Sequence, residues 1–221
     1  MDGEALKVLH RIKACRLIPI VRFLQVKQAE KIARALVAAQ VDIVEFPLTS
    51  EHALAAIEKI SDAFGDKMVV GAGTVLDGAS ARSSILAGAR FIVSPAVKTD
   101  VIGMCKRYST TVCPGALTPT ETLLAWEAGA DLVKIFPCQS VGGPSYIRSL
   151  KTPYPHIELV PVGGVTPENA AEFLAAGSAA LGVGSGIISS QALASFTEED
   201  ITRNAARFMD AIKKARAAAD D

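Results

Sequence analysis

One lysine lies in the middle of a short apolar segment, residues 131–137, and is a candidate nucleophile. Because Gly129 and Pro137 bound the segment, it predicts a buried strand of a parallel sheet, in which alternation places Lys134 and Phe136 on the same face. Desolvation penalises the ammonium form of a buried lysine, and a neutral amine can attack a ketone to form an imine. The alternative interpretation is a lysine that reaches solvent or pairs with a carboxylate.

Glu45 is the matching candidate for proton transfer. It lies in the apolar run 41–46, where alternation turns it to the face opposite Val44 and Phe46. A carboxylate inside a barrel is costly unless it has a partner, so Glu45 is either half of a structural ion pair or a general base. In the second case, Lys134 and Glu45 together supply a nucleophile and a proton shuttle.

The elements that would position these residues are eight short β-rich runs, separated by alanine-rich amphipathic segments of helical period. Eight alternating βα units predict a closed (β/α)8 TIM barrel that forms a single domain over residues 1–221. The alternative is an open doubly wound sheet, but it needs two peripheral edge strands and all eight runs look comparably buried. The runs are 17–23, 42–46, 68–72, 90–94, 110–113, 132–136, 158–162 and 180–184.

Local signals predict where the helices begin and end. Thr118 and Thr166 are each followed by proline and are predicted N-caps. Gly88, Gly129 and Gly177 are each predicted to end a helix. A helix over about residues 3–15 is expected before the first strand, and one over about residues 198–218 after the last.

The carboxyl ends of the strands carry further candidate residues, and the active site of such a barrel forms there. Arg22 ends the first run, and its guanidinium either binds a carboxylate in a bidentate contact or forms a salt bridge at the rim. In residues 71–74 the glycines permit close approach of a ligand and Thr74 offers a hydroxyl and an N–H, although both residue types are also common in turns. Pro95 follows the fourth run, where strand termination alone also explains a proline.

Two glycine clusters predict a phosphate site. Gly163 and Gly164 follow the seventh run, and residues 182–186 follow the eighth. Backbone N–H groups of these two loops, with a short helix N-terminus, form the recurrent phosphate site of this barrel. A side chain at Gly164 or Gly184 would fill the space that an oxygen approaches or demand a disfavoured backbone angle. The alternative is that these are ordinary loop glycines.

Composition argues against several classes of function. Lys plus Arg is 23 and Asp plus Glu is 23, and this balance argues against a nucleic-acid partner. No segment approaches the roughly 20 consecutive apolar residues of a membrane span, and residues 1–4 lack the basic region of a secretory signal. Four cysteines without a C-x-x-C pair predict reduced thiols in a cytoplasmic protein. His10, His52 and His156 have no ligand spacing, which predicts chemistry without a metal.

Several of these segments occur in the order and spacing of one enzyme family. They are Glu45 and residues 71–76, 94–95, 113–115, 134–137 and 163–165. Over residues 17–187 the chain resembles the 2-keto-3-deoxy-6-phosphogluconate (KDPG) and 2-keto-3-deoxy-6-phosphogalactonate (KDPGal) aldolases. These are class I pyruvate aldolases, a family that includes 4-hydroxy-2-oxoglutarate (KHG) aldolase. The Gly-Ala-Gly-Thr and Lys-Ile-Phe-Pro segments are its more specific parts.

The resemblance implies that Lys134 forms the imine with pyruvate and that Glu45 is the acid and base. It also implies a phosphorylated keto-acid substrate, no cofactor, and a homotrimer. The substrate-binding residues that it implies are Arg22, Thr49, Thr74, Pro95, Phe136 and Val162. The phosphate-binding residues that it implies are Gly163, Gly164, Gly184 and Ser185.

Three positions bear on which sugar acid the family resemblance implies. The phosphogluconate branch commonly has an arginine four residues after the glutamate, where this chain has Thr49. It also commonly has a threonine just before the glycine pair, where this chain has Val162. Arg22 ends the first strand, as in the phosphogalactonate branch. These positions favour the galacto-configured substrate and leave the C4 stereochemistry open.

The resulting hypothesis is a lyase that cleaves a 2-keto-3-deoxy-6-phospho sugar acid to pyruvate and glyceraldehyde 3-phosphate. Two other classes remain at this point. A sugar-phosphate isomerase or epimerase on the same barrel would explain the phosphate loops but not Lys134, and would need a second base or a metal. A non-catalytic binder of phosphorylated ligands would keep Lys134 as a structural cation.

Overall fold

The structure is a computed structural model that describes residues 3–23, 25–192 and 194–220. Strands and helices alternate along the chain. The helices are α1 Gly3–Cys15, α2 Val26–Ala38, α3 Ala53–Phe64, α4 Gly78–Leu86, α5 Thr99–Arg107, α6 Pro119–Glu127, α7 Pro144–Lys151, α8 Ala170–Ala175 and α9 Glu198–Asp220. The strands are β1 Leu17–Pro19, β2 Ile43–Pro47, β3 Val69–Gly73, β4 Phe91–Val93, β5 Thr111–Cys113, β6 Gly115–Ala116, β7 Val133–Ile135, β8 Leu159–Pro161 and β9 Leu181–Val183.

Parallel pairing of these strands closes a barrel. β2, β3, β4 and β5 pair in order, as do β6, β7 and β8, and β1 pairs with β9. β5 and β6 form one position in the ring, interrupted at Pro114, because proline has no N–H to give to the ladder. Single bridges between Ile20 and Glu45 and between Val162 and Gly182 join the three groups of strands. The predicted (β/α)8 barrel is confirmed.

The barrel wall is buried on both faces. Every residue of β1 to β9 is buried. A parallel sheet that has helices outside and side chains inside requires such continuous apolar strands, and this explains the apolar runs of the sequence. Aromatic residues fill part of the interior: a Cβ on Gly71 would lie 2.3 Å from the Phe91 ring.

The predicted N-terminal helix, α1, covers the amino ends of the strands. The hydroxyl of Thr111, the first residue of β5, donates a hydrogen bond of 3.0 Å to the carbonyl oxygen of Ala5. Arg11 donates hydrogen bonds of 3.0 and 2.9 Å to the carboxylate of Asp42, which immediately precedes β2. Because α1 occupies this end, the open end of the barrel is the one formed by the carboxyl ends of the strands.

Most predicted helix ends are confirmed. Thr118 caps α6: its hydroxyl accepts a bond of 3.2 Å from the Glu121 N–H, and the Glu121 carboxylate accepts one of 2.8 Å from the Thr118 N–H. Gly88, Gly129 and Gly177 have φ values of 98°, 100° and 99°, which favour glycine after a helix.

The N-cap predicted at Thr166 is wrong, because α8 begins four residues later. Asn169 stabilises a turn instead. Its side-chain oxygen accepts a bond of 2.8 Å from the Thr166 N–H, and its amide donates one of 2.9 Å to the Gly164 carbonyl. Such local side-chain bonds offer the backbone an alternative to the helix.

The short helix expected after the eighth strand of the barrel is replaced by a single turn. The N–H groups of Ile187 and Ile188 donate bonds of 3.0 and 3.3 Å to the Gly184 carbonyl. A 3-10 helix, Ser190–Ala192, follows. Met1 and Asp2, the first two of the residues 1–4 that lack the basic region of a secretory signal, lie outside the described residues.

Candidate active site

The open end of the barrel holds a cavity of about 310 Å³. Twelve site residues were predicted from the sequence, and eleven of them line this cavity. They come from seven different strands or from the loops after those strands. Its lining consists of Ile20, Arg22, Glu45, Thr74, Pro95, Lys134, Phe136, Val162, Gly163, Gly164, Val165, Gly182, Val183, Gly184, Ser185 and Gly186.

Thr49 is the predicted residue that does not line this cavity. It is exposed in the turn after β2. Two apolar wall residues, Ile20 and Val165, were not predicted from the sequence as site residues. The bridge from Ile20 to Glu45 shows why Ile20 belongs there, since it continues the barrel wall beyond β1. The apolar run at residues 17–23 was the available signal for it.

Lys134 is held inside the barrel by the strands on both sides of β7. It pairs with Gly115 of β6 and Val160 of β8, and it is 8% exposed. Its Nζ lies 4.9 Å from the centroid of the Phe136 ring, a cation–π contact. Among the described residues, no carboxylate forms an ion pair with Lys134. Neither alternative, exposure to solvent or a structural ion pair, describes this side chain.

Glu45 is the acidic residue of the cavity lining and is 2% exposed. Burial raises the pKa of Glu45 above the usual carboxyl range, and the positive charges of Lys134 and Arg22 partly oppose this rise. In the part of the chain that the structure describes, no group forms a hydrogen bond or an ion pair with its carboxylate. A carboxylate in this state can exchange protons with a substrate nearer to neutral pH than an exposed one can.

Arg22 brings a second cation to the cavity. Its side chain is exposed, in the segment that follows β1. Within residues 3–23, 25–192 and 194–220 no carboxylate pairs with it, so the alternative of a rim salt bridge is wrong. The guanidinium is therefore available to an anionic group of a ligand.

Thr74 has an unusual backbone conformation for its residue type. Its φ is 55°, in the left-handed region that β-branched residues rarely adopt. Strain of this kind costs about 1–3 kcal/mol and clusters at functional sites. Thr74 directly follows β3 and lines the cavity beside Glu45 and Lys134.

The two glycine loops differ in why they contain glycine. Gly163 and Gly164 have φ values of 93° and 80°, so a side chain there would be strained. The φ of Gly184 is not in this region, and the backbone restriction expected for it is wrong. A Cβ on Gly184 would have only the Ile20 carbonyl oxygen within 4 Å, at 3.7 Å. Gly184 therefore leaves space for a ligand, while Gly163 and Gly164 permit the turn.

The described residues lack two other features, a cluster of metal ligands and a helix that could cross a membrane. These residues contain no group of three His, Cys, Asp or Glu side chains that could hold a metal ion. In residues 3–23, 25–192 and 194–220, no helix has the length and apolar content needed to cross a membrane. The reactive groups that the cavity does provide are an amine and a carboxylate.

Comparison with known proteins identifies the family of this chain. The family model for the KDPG and KHG aldolases matches residues 8–204. The chain belongs to this family. Its relatives are aldolases, which are carbon–carbon lyases, and membership decides against the isomerase and the non-catalytic binder.

Three members of the family are similar over nearly the whole chain. The 2-dehydro-3-deoxy-6-phosphogalactonate aldolase of Escherichia coli K12 is 40% identical over 90% of this chain and 95% of its own. A native KDPGal structure superimposes with a TM-score of 0.86 at 39% identity, covering 91% of this chain and 96% of that one. The KDPG aldolase of Legionella pneumophila, crystallised with pyruvate captured as a covalent carbinolamine, has a TM-score of 0.83 at 26% identity and covers 90% and 96%.

Proposed function

We propose that this aldolase cleaves a 2-keto-3-deoxy-6-phospho sugar acid to pyruvate and glyceraldehyde 3-phosphate. One observation carries the proposal. Lys134 and Glu45 are both buried, neither has an ion pair among the described residues, and both line a cavity that also reaches the two glycine loops. A buried amine and a buried carboxylate without structural partners are the groups that imine chemistry requires.

The reaction follows from these two side chains. The amine of Lys134 attacks the C2 ketone, water leaves, and a protonated imine forms. Glu45 takes the proton of the C4 hydroxyl, the C3–C4 bond breaks, and its electron pair forms the enamine while C4 becomes the aldehyde carbon. Glu45 then returns a proton to C3, and water hydrolyses the imine to release pyruvate and Lys134. Each step is easier than direct cleavage because the protonated imine accepts the electron pair of the C3–C4 bond.

The rest of the lining supplies binding groups for this substrate. Arg22 would bind the carboxylate of the keto acid, and Thr74, Pro95 and Phe136 would surround the pyruvate part. Arg22 has the unpaired guanidinium and Phe136 contacts Nζ of Lys134, which supports these two roles most directly. Binding by Thr49 has no geometric support, since it is exposed outside the cavity lining.

The preferred substrate is the galacto-configured acid. Arg22 and Val162 both line the cavity, and Val162 is an apolar wall residue that is 8% exposed. The 40% identical relative from E. coli is a phosphogalactonate aldolase, which supports the same choice. Cleavage rates for the two C4 epimers, with lactate dehydrogenase coupled to pyruvate release, test it. We expect a higher kcat/KM for the galacto epimer, and a clear preference for the gluco epimer would contradict the assignment.

A phosphate group is expected to bind at Gly163, Gly164, Gly184 and Ser185, and Gly184→Val tests this. Because φ at Gly184 suits any residue, valine is expected to fold and to place its methyl groups in the cavity. The KM for the phosphorylated substrate should rise far more than that for the unphosphorylated analogue, since uniform binding is lost.

Pyruvate trapping on Lys134 is the control for Gly184→Val and should persist, because pyruvate carries no phosphate. An equal loss for both substrates in a folded protein would show that the glycine is structural and that the phosphate binds elsewhere.

The proposal also covers the number of domains, the cellular location and the oligomeric state. We infer one domain over residues 1–221, because one buried cluster extends from Val8 to Ile212. A cytoplasmic location is supported by four cysteines that are all buried and unpaired. A homotrimer remains a prediction from family resemblance, and an open groove of about 700 Å³ between α3 and α4 offers one face for a contact between subunits.

A further inference from the structure

The carboxylate of Glu45 occupies the space that a side chain at position 73 would need. β2 and β3 pair in parallel, with Pro47 opposite Gly73. A Cβ built on Gly73 would lie 1.8 Å from Oε1 of Glu45, 2.6 Å from its Cδ and 2.8 Å from its Cγ. Real Cβ atoms essentially never approach other atoms closer than 3.0 Å. A side chain at position 73 therefore cannot fit while the Glu45 carboxylate keeps its observed position.

The backbone does not require glycine at this position. Gly73 lacks the positive φ that Gly163 and Gly164 show. Glycine in a strand costs stability, because it has no side chain to pack and loses more conformational freedom on folding. The physical reason for glycine at position 73 is therefore the close approach of Glu45 and not the local conformation.

Direct contacts within the described residues do not explain the position of the carboxylate. None of residues 3–23, 25–192 and 194–220 donates a hydrogen bond to it or forms an ion pair with it. The charges of Lys134 and Arg22 attract it from across the cavity, but attraction over a distance does not select one rotamer. The wall beside the carboxylate leaves room for the observed rotamer at Gly73, where no side chain competes for the space.

We propose that Gly73 is the positioning residue for Glu45, and that the missing side chain at position 73 keeps the carboxylate in the cavity that Lys134 and Thr74 also line. The role rests on the proposed aldolase reaction, because it acts through proton transfer by Glu45. A methyl group at position 73 would force the Glu45 side chain into another rotamer. A misplacement of about 1 Å can cost roughly 10²-fold in rate.

Exchange of the methyl protons of pyruvate with deuterated water isolates the step that Gly73 is expected to affect. Once Lys134 has formed the imine with pyruvate, a base removes a C3 proton to give the enamine, and deuterium is returned from solvent. For Gly73→Ala we expect exchange, measured by proton NMR, to fall by about 10²-fold. Borohydride trapping of pyruvate on Lys134 should continue, because imine formation requires the amine and not the position of Glu45.

Gly71→Ala is a matched control on the same strand. A Cβ there would also be crowded, but its three nearest atoms, at 2.3 to 2.4 Å, all belong to the Phe91 ring. Both variants are expected to lose stability through overpacking. Only in Gly73→Ala is the rate of proton exchange per folded molecule expected to fall by about 10²-fold. An equal loss of exchange in both variants would show a general packing effect and would overturn the proposal.

A double-mutant cycle tests whether Gly73 acts through Glu45. Adding Gly73→Ala to Glu45→Gln should slow exchange little further, because the base is already absent. If the exchange rate of the double variant falls by the product of the two single-variant factors, Gly73 acts independently of Glu45. Should Gly73→Ala alone fail to fold, Glu45→Ala is expected to restore folding by emptying the space, and a double variant that remains unfolded would also overturn the proposal.

Failure of this proposal is distinct from failure of the proposed function. A wild-type enzyme that traps no pyruvate on Lys134 would contradict the aldolase reaction itself. A wild-type enzyme that traps and exchanges pyruvate, beside a Gly73→Ala variant that exchanges at the same rate, would contradict only the role of Gly73.

Discussion

Borohydride reduction in the presence of pyruvate is expected to attach the three-carbon acid to Lys134 and to no other lysine. Lys134 is 8% exposed and lines the cavity at the open end of the barrel, where the proposed reaction requires its amine to attack the ketone. Lys134→Arg keeps the charge but removes the nucleophile, so aldol cleavage should fall by roughly 10⁴-fold or more, as when other covalent nucleophiles are removed. Mass spectrometry of the digested protein locates the modified residue.

Lys59 provides the control for this experiment. It lies on α3, on the outside of the barrel, and its amine pairs with Glu30 at 2.8 Å. Lys59→Arg is expected to leave both trapping and cleavage unchanged. Modification of a lysine other than Lys134, or cleavage that survives Lys134→Arg, would contradict the imine mechanism.

Replacement of Glu45 by glutamine is expected to lower kcat by about 10²–10⁴-fold, the usual contribution of a general acid or base. Glutamine preserves the shape of the side chain but cannot take the proton of the C4 hydroxyl. Imine formation with pyruvate should survive better than turnover, so trapping and cleavage measured on one preparation separate the two steps. A near wild-type turnover rate would show that another group moves the proton.

The pH dependence of the wild-type enzyme provides a second measurement on Glu45. Because burial raises the pKa of this carboxyl, the acid limb of kcat/KM should lie above the ordinary glutamate value of about 4.3. Because the pKa of Glu45 is higher in the folded state than in the unfolded state, the protonated carboxyl favours folding. This contribution to the free energy of unfolding is fully present below the unfolded-state pKa, and it is lost as the pH rises through the folded-state pKa.

Glu45→Gln should therefore unfold at a higher temperature than the wild type at pH 7, by an amount on the order of a few degrees. The difference should shrink as the pH falls to about 4. Thermal unfolding followed by circular dichroism at both pH values checks this. A variant that is less stable than the wild type at pH 7 would show that the ionised carboxylate stabilises the fold.

Much of the fold could be predicted because its signals are local. Runs of apolar residues identify the strands, the capping box at Thr118 marks the start of α6, and Gly88 and Gly129 mark helix ends. The alternation of strand and helix then predicts the barrel, since parallel strands require helical connections. The N-cap predicted at Thr166 is wrong because the side chain of Asn169 forms hydrogen bonds with the backbone of Thr166 and Gly164. These bonds stabilise a turn where the sequence pattern predicts the start of a helix.

The candidate site was predictable only in part. The rule that barrel strands present functional residues at their carboxyl ends indicated Lys134, Glu45 and both glycine loops. It could not show that Thr49 is exposed outside the cavity lining, because one residue of displacement in a turn changes the direction of a side chain. Ile20 was missed for a related reason, since only its bridge to Glu45 shows that the wall extends past β1.

The sequence by itself indicated Lys134 and Glu45 as candidates for the chemistry, because a charged side chain within an apolar run is costly to bury. Only the tertiary structure decided where these side chains lie relative to each other. Pairing of β2 with β3 places Gly73 beside Glu45, and closure of the barrel brings Glu45 and Lys134 into one cavity. Such contacts depend on strand register and on the packing of residues far apart in the chain, and local sequence patterns do not encode these distances.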